Sequence, residues 1–187
     1  LYCMFIHAFG YYSYYGSDHV LGDYTAYNMN NGNVELKNWN LQTYSSGSGL
    51  NLQQIFNNCP RFNGDLSNWT ITDPSSFYRT FYKNREFRGI GLSSWTVVSP
   101  SQYLYTMRQM FYECYELGNE TNIDISQTGS WNYTYCANME ETFTYCSRLG
   151  REANFIMNGC NLVNLLTTDD TDNDLRPNAH ALYGMFI

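Results

Sequence analysis

Tryptophan is the residue that most constrains what this chain can fold into. It occurs four times, at Trp39, Trp69, Trp95 and Trp131, and each copy precedes the same short apolar signature. With the first apolar residue taken as position 0, the signature carries Met, Ile or Thr at +3, Phe at +4 and often Cys at +7. It reads Leu52, Ile55, Phe56, Cys59, then Phe77, Thr80, Phe81, Asn84, then Met107, Met110, Phe111, Cys114, then Met139, Thr142, Phe143, Cys146. Such recurrence describes a stack of similar turns, not an ordinary globular enzyme. Positions 0, +3, +4 and +7 share one face of an α-helix, so each copy reads as about two helical turns pressing one stripe inward.

A strand half repeats as well. Leu36-x-x-Trp39-x-Leu41, Leu66-x-x-Trp69-x-Ile71 and Leu92-x-x-Trp95-x-Val97 share a leucine-rich-repeat type of spacing. The expectation is therefore an α/β solenoid with one short strand and one short helical segment per turn. The Trp-to-Trp intervals are uneven, as in a solenoid that takes loop insertions. A degenerate fifth unit, Leu162-x-x-Leu165 followed by Leu182, Met185 and Phe186, brings the count to about five turns in one domain covering residues 1–187.

Residues 1–6, Leu-Tyr-Cys-Met-Phe-Ile, match residues 182–187, Leu-Tyr-Gly-Met-Phe-Ile, so both segments fall inside the motif. An unfinished solenoid turn leaves apolar side chains and strand edges open. Two readings follow: a piece of a longer chain, or one period of a fibre continued by the next copy. In the second, Leu1, Met4 and Phe5 play the same part as Leu182, Met185 and Phe186, and the assembly is head to tail.

Composition excludes some partners. Net charge is −7 and lysine occurs only at Lys37 and Lys83, leaving no basic stripe for nucleic acid or an anionic membrane. No apolar run approaches the ~20 residues of a membrane span. Uncharged Asn, Ser, Thr and Tyr dominate the remainder, which suits an extracellular or cell-surface location, glycans and stacked contacts.

The stretch Ile55-Phe-Asn-Asn-Cys-Pro-Arg-Phe-Asn-Gly-Asp-Leu-Ser-Asn-Trp69 resembles the BspA-type leucine-rich repeats of mycoplasma lipoprotein-like surface proteins. Weaker copies extend the resemblance over roughly residues 33–150. It implies an extracellular solenoid used for adhesion or surface structure. The chain departs from that family by placing Thr70, Thr96 or Asn132 where an acidic residue follows tryptophan, so no ligand specificity is carried over.

Cys59, Cys114 and Cys146 share one repeat position, with Asn84 in the remaining copy, whereas Cys3, Cys136 and Cys160 lie outside the ladder. Stacked strands lie ~4.7–4.9 Å apart, within the ~4.4–6.8 Å Cα separation of a disulfide, so Cys114 and Cys146 are the pair that a bridge would join. A row of small buried hydrophobes satisfies the same spacing. Asn68-Trp-Thr70, Asn119-Glu-Thr121 and Asn132-Tyr-Thr134 are glycosylation sequons, and Asn68 and Asn119 are expected to face solvent.

Catalysis and cofactor binding find no motif. His7, His19 and His180 sit at no recognisable spacing from a nucleophile or metal partner, and the carboxylates Asp65, Glu86, Glu113 and Glu140 nominate no pair. Asp65 reads as a turn residue. The acidic run Asp169, Asp170, Asp172, Asp174 lacks the glycine and glutamate of a calcium loop, with Leu175 and Ala181 in their places, so it reads as a solvated loop. The expected protein is a non-enzymatic subunit of a glycosylated surface fibre. The alternative is an adhesin in which loops 8–33 and 168–181 recognise a ligand.

Overall fold

The structure, a computed structural model, describes residues 36–41, 49–126, 130–158 and 184–186. These build a parallel β-solenoid of about four coils. The core repeats in each coil as a tryptophan, followed by a short strand in coils 1–3 and a single bridge in coil 4, then a second strand, and a run of tight turns carrying the 0, +3, +4, +7 signature.

Three parallel sheets run along the stack. The first joins β1 (Asn40–Leu41), β3 (Thr70–Thr72) and β5 (Thr96–Val98), with Leu41, Ile71 and Val97 inward and their neighbours outward. The second joins β2 (Leu50–Asn51), β4 (Pro74–Ser76), β6 (Tyr105–Thr106) and β8 (Cys136–Asn138). A third pairs β7 (Ile123–Asp124) with β9 (Phe155–Ile156). Insertions disturb the register locally, as where Val97 bridges Trp131 instead of the residue two beyond it.

The tryptophans and phenylalanines form the two columns that their spacing demands. Trp39, Trp69, Trp95 and Trp131 stack with ring centroids 5.6, 5.0 and 5.5 Å apart. Phe56, Phe81, Phe111 and Phe143 stack at 5.3, 5.5 and 5.6 Å. All are buried except Trp39, on the first coil, which is half-buried. The leucine three residues before each tryptophan has a second role: Trp69, Trp95 and Trp131 donate their indole N–H to the carbonyls of Leu36, Leu66 and Leu92 on the preceding coil.

The signature itself is not helical. Among the described residues the only helix is a 3₁₀ turn at Leu92–Ser94, so the expected helical segment per turn is replaced. The backbone explains why. Position +2 is left-handed in every coil, at Gln54, Arg79, Gln109 and Glu141, and so is position +6, at Asn58, Lys83, Glu113 and Tyr145. A left-handed residue at the third place of a four-residue turn is what a type II turn requires. Local bonds close these turns, as from Thr80 N–H to the Phe77 carbonyl at 3.1 Å and from Asn84 N–H to the Phe81 carbonyl at 3.1 Å.

The alternate N–H groups point along the stack. In coil 2, Phe77, Arg79, Phe81 and Lys83 donate to the carbonyls of Thr106, Arg108, Met110 and Tyr112 at 2.7–3.2 Å, and coils 1 and 3 repeat the pattern. An α-helix would spend these donors inside its own coil. Two successive turns also bring 0, +3, +4 and +7 inward, so the spacing alone does not separate them from a helix.

The expected five turns are likewise reduced to about four. Residues 184–186 add a fragment on coil 4, whereas Leu162, Leu165 and Leu182 lie outside the described residues.

Candidate functional site

The outward positions of the turn face form a continuous array of rings and charges. Row +1 carries Tyr78, Arg108 and Glu140, and row +2 carries Arg79, Gln109 and Glu141. Arg108 Nε donates to Glu140 Oε2 at 2.9 Å, with both side chains nearly buried. Arg79 Nε donates to Gln109 Oε1 at 2.6 Å, and Gln109 donates onward to Glu141. The Arg79 guanidinium lies over Tyr78 at 4.8 Å and over Tyr82 at 4.7 Å, so it is held between two rings.

Beside these rows, Tyr82 stacks on Tyr112 at 5.0 Å. Lys83 and Arg85 approach Glu113 at 3.7 and 3.4 Å, and the Tyr115 hydroxyl donates to Glu113 at 3.3 Å. Burial, then the neighbouring Tyr82 and Glu113, push the Tyr112 phenol up to about 12. Burial and Glu113 raise Tyr115 in the same way. Lys83 and Arg85 on coil 2 thus pair with Glu113 on coil 3, and Arg108 on coil 3 with Glu140 on coil 4, so these charges meet across coil boundaries. The result is a stiff surface rich in Tyr and Arg, residue types that dominate protein recognition.

The ladder of position +7 lies inside. Cys114 and Cys146 are free thiols, and Cys59 is buried with its Sγ 3.7 Å from the Asn57 carbonyl. Cys114 donates to the Phe81 carbonyl at 3.0 Å and Cys146 to the Phe111 carbonyl at 3.1 Å, so each is turned toward the preceding coil. The bridge considered between Cys114 and Cys146 is therefore not formed. Burial raises both thiols, which keeps them protonated donors. In coil 2, Asn84 replaces the thiol and its Oδ1 accepts the Cys59 N–H at 2.9 Å. Cys136, outside the ladder, is also buried, with its Sγ 3.7 Å from the Asn138 carbonyl. Cys3 and Cys160 lie outside the described residues.

The sequons differ in access. Asn68 is exposed, with Nδ2 donating to Asn38 Oδ1 at 2.9 Å. Asn119 is half-buried and its Nδ2 donates to Glu116, contrary to the expectation that it faces solvent freely. Asn132, also half-buried, accepts the Thr134 N–H at 3.0 Å. Asp65 has the expected turn role, accepting the Ser67 N–H at 2.8 Å. Among the described residues no three His, Cys, Asp or Glu side chains converge as metal ligands. No described helix is long and apolar enough to cross a membrane. The histidines, the acidic run 169–174, loops 8–33 and 168–181, and Leu1, Met4 and Phe5 lie outside the described residues.

One set of residues escaped the sequence reading. Asn51, Ser76, Thr106 and Asn138 precede position 0, and each side chain accepts the N–H of position +1, at 2.7–3.1 Å. Asn, Ser and Thr make this local turn, so their recurrence at −1 was a visible signal for turns.

No curated protein and no solved structure matches the chain significantly. The family model that does match covers residues 24–155, the segment holding all four tryptophans and the four repeats, and its description is Mycoplasma protein of unknown function, DUF285; the chain belongs to that family.

Proposed function

We propose that this chain is a non-enzymatic structural repeat protein of an extracellular or cell surface, of the BspA-like kind, whose solenoid continues from copy to copy as a fibre. The observation that carries this reading is the register of residues 184–186. The Phe143 N–H donates to the Met185 carbonyl at 3.0 Å, and Phe186 extends the phenylalanine column at 5.3 Å from Phe143. A ring from beyond coil 4 that takes the next place in the column supports stacking as the way further coils add. Addition of this sort is heterologous and open, which generates filaments rather than closed dimers. Four straight coils at ~4.8 Å each give an advance on the order of 20 Å per copy.

The test is imaging and light scattering of the full-length native protein. Filaments with an axial repeat of that order are expected, and a monodisperse capped monomer would defeat the fibre. Glycan decoration belongs to the same proposal, with Asn68 the most accessible of its three acceptors. Mass spectrometry of native peptides tests it, and unmodified asparagine at Asn68, Asn119 and Asn132 would remove it.

A second reading, an adhesin, draws on the turn face. Its stacked tyrosines and clamped arginines are preorganised, which lowers the entropy cost of binding a protein or glycan. A monomer that binds a surface partner through Tyr78, Tyr82 and Tyr112 would favour this reading over the fibre.

A further inference from the structure

Two neighbouring rows of the turn face treat their arginines differently. In row +1, Arg108 and Glu140 stand on successive coils and pair directly. In row +2, Gln109 stands between Arg79 on coil 2 and Glu141 on coil 4. Gln109 is buried and its Nε2 is committed to Glu141, so its Oε1 faces Arg79 and accepts from Nε at 2.6 Å. The guanidinium is therefore aimed without being neutralised. Among the described residues no carboxylate pairs with Arg79, and its Nη groups, the fork that grips an oxyanion, meet no acceptor. Arg61 and Arg151 make no such pair either, but both are exposed, whereas Arg79 is half-buried between the Tyr78 and Tyr82 rings.

The surroundings of that fork describe a ligand. The cation covers an electron-rich face of each ring, which leaves ring edges and the tyrosine hydroxyls toward an incoming anion. Rings on both sides admit a flat group more easily than a tetrahedral one. Arg108, 5.4 Å from the Tyr78 ring, and Lys83, 5.2 Å from the Tyr82 ring, are already paired with Glu140 and Glu113, so Arg79 is the unspent charge of the group. On coil 1, Gln53 lies in register with Tyr78 and Asn57 with Tyr82, as fixed by the bonds from Gln54 N–H to the Tyr78 carbonyl and from Asn58 N–H to the Tyr82 carbonyl. Gln53 and Asn57 are half-buried, and their side-chain amides make no hydrogen bond to the described residues. Each amide offers a donor beside an acceptor, which suits the adjacent hydroxyls of a sugar.

The geometry points to a binding site for an acidic sugar, a pyranose whose carboxylate is gripped by Arg79 between Tyr78 and Tyr82 and whose hydroxyls bond Gln53 and Asn57. An acidic protein side chain would use the fork alone and leave the coil 1 amides idle. Gln109 and both rings hold the guanidinium before the sugar arrives, which lowers the cost of ordering it on binding. This site rests on the adhesin reading and gives it a ligand class.

The test titrates the full chain into fluorescently labelled tetragalacturonate by anisotropy, beside its methyl ester and a tetraglutamate peptide. The acid is expected to bind at least ~10-fold more tightly than the ester, and Arg79→Lys, which keeps the charge and loses the fork, should weaken it by a similar factor. Arg151→Met, at an exposed cation outside the site, should leave binding unchanged. Gln53→Ala with Asn57→Ala should weaken binding of the sugar and not of the peptide. An ester that binds as well as the acid, or an Arg79→Lys chain that binds as well as the parent, would overturn the site. A peptide that binds as tightly as the sugar, with both indifferent to Gln53 and Asn57, would overturn the sugar as ligand and make the site a protein contact. Attachment to cell surfaces that is lost on Tyr112→Ala but unaffected by Arg79→Lys or by excess tetragalacturonate overturns this site alone and leaves the adhesin standing. Arg79-dependent binding of the acid by a chain that attaches to no cell supports the site and removes the adhesin.

Discussion

Replacing Lys83 by glycine and, separately, by alanine reads the backbone of the repeat directly. Both substitutions remove the same side chain, including its 3.7 Å approach to Glu113 and its place over Tyr82. Their difference isolates the backbone, which at Lys83 has φ 61°. A left-handed conformation costs an L-residue roughly 1–2 kcal/mol, and glycine escapes that cost. Against it stands the greater freedom of glycine in the unfolded chain, worth ~0.4–1 kcal/mol. The glycine variant should therefore be more stable than the alanine variant by about 0.5–1 kcal/mol. In a helix the sign reverses, because glycine is worse than alanine there by about 1 kcal/mol. Urea unfolding measures the difference, and thermal unfolding should show a shift of ~1–4 °C for a chain of this length. An alanine variant more stable than the glycine variant would refute the turn assignment. Glu113, left-handed at φ 57° in the same position of the next coil, offers an independent repeat.

Three further outcomes follow from the packing. Phe111→Ala removes a buried ring stacked on both sides and should cost ~3–5 kcal/mol, whereas Phe186→Ala, stacked on one side and largely exposed, should cost under ~1 kcal/mol by denaturant titration; similar costs would contradict the column. Arg108→Ala should cost several times more than a surface pair's ~0.2–1 kcal/mol because it strands Glu140, and the double replacement Arg108→Met with Glu140→Leu should recover much of the loss; additive losses in the cycle would refute the pair. The Tyr112 phenol, raised from 10.0 to about 12, contributes stability that is fully present below pH 10 and lost as pH climbs through about 12. Tyr112→Phe should lose less stability over that window than the parent protein, and identical alkaline profiles would show that Tyr112 does not carry it.

The two aromatic columns were legible because inward positions recur in sequence and large apolar rings have nowhere else to go. Leu36, Leu66 and Leu92 showed the strand spacing, although not that their carbonyls receive the indole N–H of the next coil. That bond joins residues from successive coils, and only stacking brings them together. The turn face was unreadable for a related reason: Arg79, Gln109 and Glu141 form a ladder only when their coils are in register.

The amino-acid sequence by itself determined the repeat, the identity of the residues that line the core, and the small residue at position +7. The tertiary structure decided whether the signature coils as a helix or as successive turns. Positions 0, +3, +4 and +7 point inward in either form, and charged or aromatic residues such as Lys83, Glu113 and Tyr145 carry no glycine-like mark of a left-handed backbone. What selects the turns is the neighbouring coil. Its carbonyls accept the N–H groups of positions 0, +2, +4 and +6, and those bonds offset local strain that an isolated segment would avoid by coiling on itself.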